Sequence, residues 1–103
     1  MPSETSLIEV GASIVSKDFE LELTTESISK EELLNIIRKT VQHYLDNDLN
    51  HLLNILYRID VNEAIVKTIL STASPENIAD ALAEEILNRE LKKAEYRLKY
   101  NNS

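Results

Sequence analysis

Three apolar segments with helical spacing lie between residues 48 and 87, and two short polar stretches separate them. In the first stretch, Asp60 and Glu63 have the spacing at which each side chain can accept a hydrogen bond from the backbone N–H of the other. In the second, Ser74 precedes Pro75, and proline is well tolerated at the first position of a helix. Both stretches therefore predict helix starts, with Asp60, Glu63 and Ser74 as caps.

The apolar periodicity predicts four helices between residues 29 and 103. The first begins at Ser29, whose capping partner is Glu32, and ends in the polar run at residues 46–48. The others span about 48–59, 61–72 and 75–100. The second of the four is apolar over most of its circumference, which predicts that neighbours cover it nearly all round. The predicted fold class is mainly all-α: a small four-helix bundle-like domain with a long C-terminal helix.

We assign residues 1–28 to an N-terminal arm, separate from the helical domain at residues 29–103. The apolar residues of this arm alternate with a period of two, which indicates strands. One interpretation is a β-hairpin that turns at residues 16–18. The other is a flexible acidic arm, because residues 1–32 carry eight acidic side chains against two lysines. The pattern favours neither interpretation.

The last predicted helix is too long for its neighbours. Its 26 residues give a length of about 39 Å, against roughly 20–25 Å for the other three. Its final turns therefore either project or pack on something outside the other three helices, and they carry an apolar stripe made of Leu87, Leu91, Ala94 and Leu98. Small domains commonly bury such a stripe against a symmetric copy. We predict a non-enzymatic interaction module that uses this stripe to bind a second copy of the chain, as a homodimer, or another protein.

The composition excludes several classes of chemistry. The chain has no cysteine, which rules out thiolate catalysis and disulfides, and Gly11 is its only glycine, which rules out glycine-rich phosphate loops. The net charge of −7 disfavours nucleic acid and anionic lipid as partners. The longest mostly apolar run, residues 7–15, is too short to span a membrane and follows no basic residues of a secretory signal. We expect a cytoplasmic protein without a membrane partner.

No motif in the chain predicts catalytic, cofactor-binding or metal-binding residues. The two histidines, His43 and His51, lack the i, i+4 spacing of a helical zinc site. A run that resembles a calcium loop begins at Asp46, but His51 replaces its required glycine and Tyr57 replaces its required glutamate. We therefore expect no cofactor, no metal and no enzymatic activity.

Two other functions stay open. One is a small-molecule or enzymatic site in a cavity between the helices, lined by Tyr44, Tyr57, Arg58 and Thr68. The other is weak binding of nucleic acid by the C-terminal end, because residues 86–103 have a net charge of +3 and include two tyrosines. The same cations also favour the negative end of the helix dipole, which explains them without a ligand.

Residues 56–63 read LYRIDVNE, and residues 86–91 read ILNREL. With these two segments the chain resembles a group of short, uncharacterised bacterial proteins that share an LYRIDV-x-E core and a later I-x-x-R-x-L helix. The resemblance covers about residues 30–98 and does not include the N-terminal arm. It implies a small helical cytoplasmic protein of unknown function, with no catalytic residues to transfer.

Overall fold

A computed structural model of the chain describes residues 4–101, which form five helices joined by short connections. The helices are α1 (Glu4–Asp18), α2 (Lys30–Asn47), α3 (Leu49–Ile59), α4 (Glu63–Thr72) and α5 (Pro75–Asn101). Residues 4–101 contain no β-strand, and the all-α, bundle-like fold class is confirmed. None of these helices is apolar over a stretch long enough to cross a bilayer.

The long helix α5 is the element on which the rest of the fold packs. α1 and α2 make their main contacts with it, and α3 and α4 also contact it. Its apolar residues face inward and meet the apolar stripes of the other helices, so that one core runs through the molecule. Fully buried residues of this core include Val15, Leu33, Ile37, Val41, Leu52, Ile55, Ile59, Leu82 and Ile86.

Several helix ends lie where the local sequence predicts them. Ser29 caps α2 as expected: its hydroxyl accepts from the Glu32 N–H at 3.0 Å, and the Glu32 carboxylate accepts from the Ser29 N–H at 3.1 Å. α5 begins at Pro75, directly after Ser74. The Ser74 hydroxyl accepts from the Asn77 side-chain amide at 2.8 Å, and the Ser74 carbonyl accepts from the Asn77 N–H.

The predicted capping box between Asp60 and Glu63 is wrong. Asp60 ends α3 in the left-handed conformation, with φ 68° and ψ 42°, and the N-cap of α4 is Asn62. The Asn62 side chain accepts from the N–H groups of Ala64 and Ile65. A short polar side chain tolerates the left-handed region, so the same residue types that cap a helix start also suit a helix end.

The N-terminal segment is neither a β-hairpin nor a flexible arm, because residues 4–18 form α1 and pack on α5. Ile8, Ala12, Val15 and Phe19 are buried, and their spacing of four, three and four residues is that of one helix face. The alternation of apolar residues in this segment was misleading because Ile8 and Ala12 satisfy both periods. The helical period prevails because α5 presents a long apolar stripe for a helix to cover.

Residues 19–29 connect α1 to α2 and are held at both ends. Phe19 and Ile28 are buried in the core, and the Ser27 N–H donates to the Glu9 carboxylate of α1 at 2.9 Å. Glu20 and Ser27 adopt positive φ values, 55° and 60°, where the connection turns. These contacts fix the position of α1 relative to α2.

At Gly11, α1 lies close to the Leu91 side chain of α5. A Cβ atom at this position would lie 2.8 Å from Leu91 Cδ2, well inside van der Waals contact. Ala12 and Ala94, on the facing surfaces of the two helices, are also fully buried. Small residues thus allow the two backbones to come together along the C-terminal half of α5.

We expect Gly11→Leu to lower the free energy of unfolding by about 1–3 kcal/mol, because the added side chain must displace Leu91 or separate α1 from α5. Helix propensity works in the opposite direction, since leucine favours a helix over glycine by several tenths of a kcal/mol. Urea unfolding followed by circular dichroism measures the change. The matched control is Ser13→Leu on the exposed side of α1, which should not destabilise the protein. Equal stability of the two variants would contradict this packing.

Candidate functional site

The four residues predicted as an interface are covered within the chain. Leu87 and Ala94 are buried, with exposed fractions of 2% and 0%, and Leu91 and Leu98 are half-buried. Leu91 meets α1 at Gly11, and Leu98 lines a groove with Val10 of α1. The apolar stripe at the end of α5, which suggested a symmetric partner, is therefore covered by α1 of the same chain.

The four residues that could line a cavity between the helices have separate local contacts. The Tyr44 ring lies 4.7 Å from the His51 ring, centroid to centroid, where α2 meets α3. Arg58 donates to the carbonyl of Asp18 at 3.0 Å, and Thr68 donates to the carbonyl of Ala64 on its own helix. Tyr57 is 85% exposed. The structure does not gather these residues into one site.

Residues 4–101 contain no group of three or more histidine, aspartate and glutamate side chains arranged to hold a metal ion. His43 and His51 both lie near Tyr44, with His43 at 5.4 Å between ring centroids. Asp48 is used as a helix cap, since its carboxylate accepts from the His51 N–H at 3.1 Å. The polar turn between α2 and α3 therefore has a structural explanation.

The most unusual group of side chains is a buried carboxyl pair between α1 and α5. Glu90 of α5 has an exposed fraction of 0% and interacts with Asp18 at the end of α1. The Lys93 ammonium lies 3.3 Å from Glu90 Oε1 and 3.8 Å from Asp18 Oδ2. Arg58 of α3 donates to the Asp18 carbonyl, so that three helices meet at this point. We call Asp18, Glu90 and Lys93 the acid cluster.

The pKa of Glu90 is raised to about 8, mainly by burial and also by the neighbouring Asp18 carboxylate. Lys93 acts in the opposite sense but does not outweigh them. Glu90 is consequently mostly neutral at pH 7. A carboxyl with such a pKa can exchange protons near neutrality, yet complete burial keeps Glu90 away from any substrate.

The sequence contained a signal for the acid cluster that the periodicity argument missed. Glu90 is four residues from both Ile86 and Ala94, and so it lies on the inward face of α5. A glutamate at such a position is buried when the face is covered. The position of Asp18 could not be anticipated, because residues 4–18 were not recognised as a helix.

An apolar surface is left open on α3, beside α4. The exposed fractions are 44% for Leu49, 38% for Leu53 and 85% for Tyr57, three residues on one side of α3. Leu53 and Tyr57 line a groove of about 450 Å³ between the two helices, together with Leu70 of α4. We call this surface the α3–α4 face. It shows that the prediction of an α3 covered nearly all round is wrong, since only its Leu52, Ile55, Leu56 and Ile59 side is buried.

Comparison of the chain with protein-family models, curated proteins and solved structures finds no match in any of the three. The resemblance of residues 56–63 to short bacterial proteins therefore stays a prediction. The function must be argued from the surfaces and the charges of this chain.

The acid cluster predicts an unusual dependence of stability on pH. Because the pKa of Glu90 is higher in the folded chain than the ordinary value of 4.5, the folded state binds more protons between these two pH values. The free energy of unfolding should therefore fall as the pH rises from about 4.5 to about 8. The total effect is a few kcal/mol, since one pKa unit corresponds to about 1.4 kcal/mol.

Glu90→Gln tests this expectation, because it keeps the shape of the side chain and removes the titration. Relative to wild type, the variant should gain stability steadily as the pH rises from 5 to 8.5. Urea unfolding at several pH values measures the difference. Glu95→Gln, on the exposed side of the same helix, is the control and should follow the wild-type curve. Parallel curves for Glu90→Gln and wild type would disprove the raised pKa.

Proposed function

We propose that this protein is a non-enzymatic interaction module, located in the cytoplasm, that self-associates through the α3–α4 face. The observation that carries the proposal is the distribution of exposed apolar side chains. Of the six large hydrophobic residues that are exposed among those described, three lie in one row on this face. They are Leu49, Leu53 and Tyr57. Contiguous exposed apolar surface of this kind is typical of binding sites.

The pattern of α3 supports a partner on its open side. Its buried side already contributes four apolar residues to the core, so Leu49, Leu53 and Tyr57 are not needed to hold the helix in place. A helix that is apolar nearly all round usually has neighbours nearly all round. The side of α3 that has no neighbour is the side that faces the groove between α3 and α4.

The geometry of the face favours a second copy of the chain as that neighbour. Leu49, Leu53 and Tyr57 are spaced at i, i+4 and i+8, in a row that is symmetric about Leu53. If two copies of α3 pack antiparallel, Leu53 meets Leu53 at the two-fold axis and Leu49 of each copy meets Tyr57 of the other. Every contact in this row is apolar.

Charge also favours this face over others. The net charge of −7 makes two copies repel each other over most of their surfaces. On the α3–α4 face the charged residues Glu63 and Lys67 form an ion pair, with 3.5 Å between Lys67 Nζ and Glu63 Oε1. The face is therefore locally neutral, and two copies can approach there with little electrostatic cost.

We propose a non-enzymatic role because the reactive groups of the chain are either buried or engaged in local hydrogen bonds. Glu90 is the carboxyl that exchanges a proton near neutral pH, and it is fully buried. The hydroxyls of Thr40, Thr68 and Thr72 donate to backbone carbonyls of their own helices, so they are engaged in local hydrogen bonds. None of these groups has the activated and accessible arrangement of a nucleophile.

Sedimentation equilibrium over a wide range of protein concentration tests the proposal. We expect the apparent mass to rise from 11.7 kDa towards twice that value at high micromolar concentration. Leu53→Glu should keep the protein at 11.7 kDa, because two buried carboxylates would meet at the two-fold axis. Circular dichroism checks that the variant is folded.

The matched control is Tyr96→Glu, which places the same charge on an exposed apolar residue of α5. It should dimerise like wild type. A wild-type protein that stays at 11.7 kDa at every concentration would refute self-association through this face. So would a dimer that Leu53→Glu leaves unchanged.

A further inference from the structure

A second surface, on the C-terminal half of α5, combines tyrosines with cations. Its residues recur every three or four positions and therefore share one side of the helix. This side is opposite to the stripe that α1 covers. We call it the tyrosine–cation stripe, and it consists of Arg89, Lys92, Lys93, Tyr96, Lys99 and Tyr100.

The two tyrosines are stacked on each other and open to solvent. The centroids of the Tyr96 and Tyr100 rings are 4.3 Å apart with 36° between the ring planes, and the residues are 65% and 58% exposed. Lys99 Nζ lies 5.9 Å from the centroid of the Tyr100 ring. Neither ring belongs to the core, so their outer faces are free to stack on another flat group.

The cations of the stripe have two roles. Arg89 and Lys93 are tied to the fold: Arg89 Nε donates to the Ile59 carbonyl at 3.3 Å, and Lys93 belongs to the acid cluster. Lys92 and Lys99 are exposed and form no ion pair within residues 4–101, and the same is true of the neighbouring Arg97. The charges of the first two are offset by Asp60, whose Oδ2 lies 3.5 Å from Arg89 Nη2, and by Asp18, while the last three can contact an anion directly.

Two acidic residues lie among these cations in the sequence, Glu90 and Glu95. A neutral Glu90 takes nothing from the positive charge of the region, while Glu95 lines the same groove as the stripe. Residues 86–103 have a net charge of +3, and the rest of the chain is strongly acidic. The stripe is therefore a narrow positive region, about 16 Å long from Arg89 to Tyr100, on an otherwise negative molecule.

We propose that the tyrosine–cation stripe binds short segments of single-stranded nucleic acid. Bases stack on the exposed faces of Tyr96 and Tyr100, and phosphates contact Lys92, Arg97 and Lys99. This combination of stacking rings with flanking cations is what sequence-tolerant binding of a single strand requires. The site is distinct from the α3–α4 face, and each can be tested without the other.

The form of the stripe argues against other polyanions. A membrane or a nucleic-acid duplex presents a broad charged surface, and it would bring its negative charge close to the acidic remainder of the molecule. An acidic peptide would use the cations but would leave the two tyrosine faces unused. A flexible single strand can follow the narrow stripe and use both kinds of group.

Fluorescence anisotropy of a fluorescein-labelled single-stranded oligo(dT) probe tests the proposal. We expect binding at low salt. A plot of the logarithm of the binding constant against the logarithm of the salt concentration should have a slope of roughly −2, since each of three phosphates contributes about −0.7. The chain contains four tyrosines and no tryptophan, so quenching of its intrinsic fluorescence reports stacking directly.

Two double variants separate the two contributions. Tyr96→Leu with Tyr100→Leu should weaken binding about tenfold or more and leave the salt slope unchanged, because leucine keeps the bulk but not the flat ring. Lys92→Gln with Lys99→Gln should reduce the magnitude of the slope by about 1.4, the contribution of two phosphates. Lys30→Gln with Lys39→Gln alters exposed residues on another surface and should bind like wild type.

Three results would overturn the proposal. The first is an unchanged anisotropy at low salt up to high micromolar protein. The second is binding that does not depend on Tyr96 and Tyr100 and that polyglutamate displaces as well as oligo(dT) does, which would indicate an acidic protein segment. The third is equal affinity for duplex DNA, because paired bases cannot stack on the tyrosines.

Discussion

The packing of α1 on the C-terminal half of α5 is the interaction on which the rest of the structure depends. It covers the apolar stripe of the longest helix, and Gly11 makes it possible by bringing the two backbones together at Leu91. It also creates the acid cluster, because Asp18 is the last residue of α1 and Glu90 lies opposite it on α5. Without α1, Glu90 would lose the neighbouring Asp18 and Leu91 would lose its contact at Gly11.

The sequence predicted the parts of the fold that depend on local chemistry. The hydroxyl of Ser29 and the ring of Pro75 act within one turn, so the starts of α2 and α5 could be derived from neighbouring residues. α1 could not be derived in this way, because its residues suit a strand or a helix and its choice depends on a stripe some eighty positions away. Asp60 shows the same limit, since the residue types for starting and ending a helix overlap.

The functional surfaces were harder to anticipate than the helices. Periodicity located the apolar residues of α3 and α5 correctly, but it could not say which stripe another helix of the same chain would cover. The stripe of α5 is covered by α1, while Leu53 and Tyr57 on α3 are open. Complementarity between distant segments decides which stripe stays free, and this information is not present in any one segment.

The pairing of α1 with α5 has a consequence for the order of events during synthesis. α1 leaves the ribosome before every other helix described, yet the surface that it covers is the last to be made. Until then the apolar side of α1 lacks its main native partner. Contacts between segments so far apart in the chain form late, because a long loop must close before they add any stability. Folding of this small bundle is thus completed by its earliest segment.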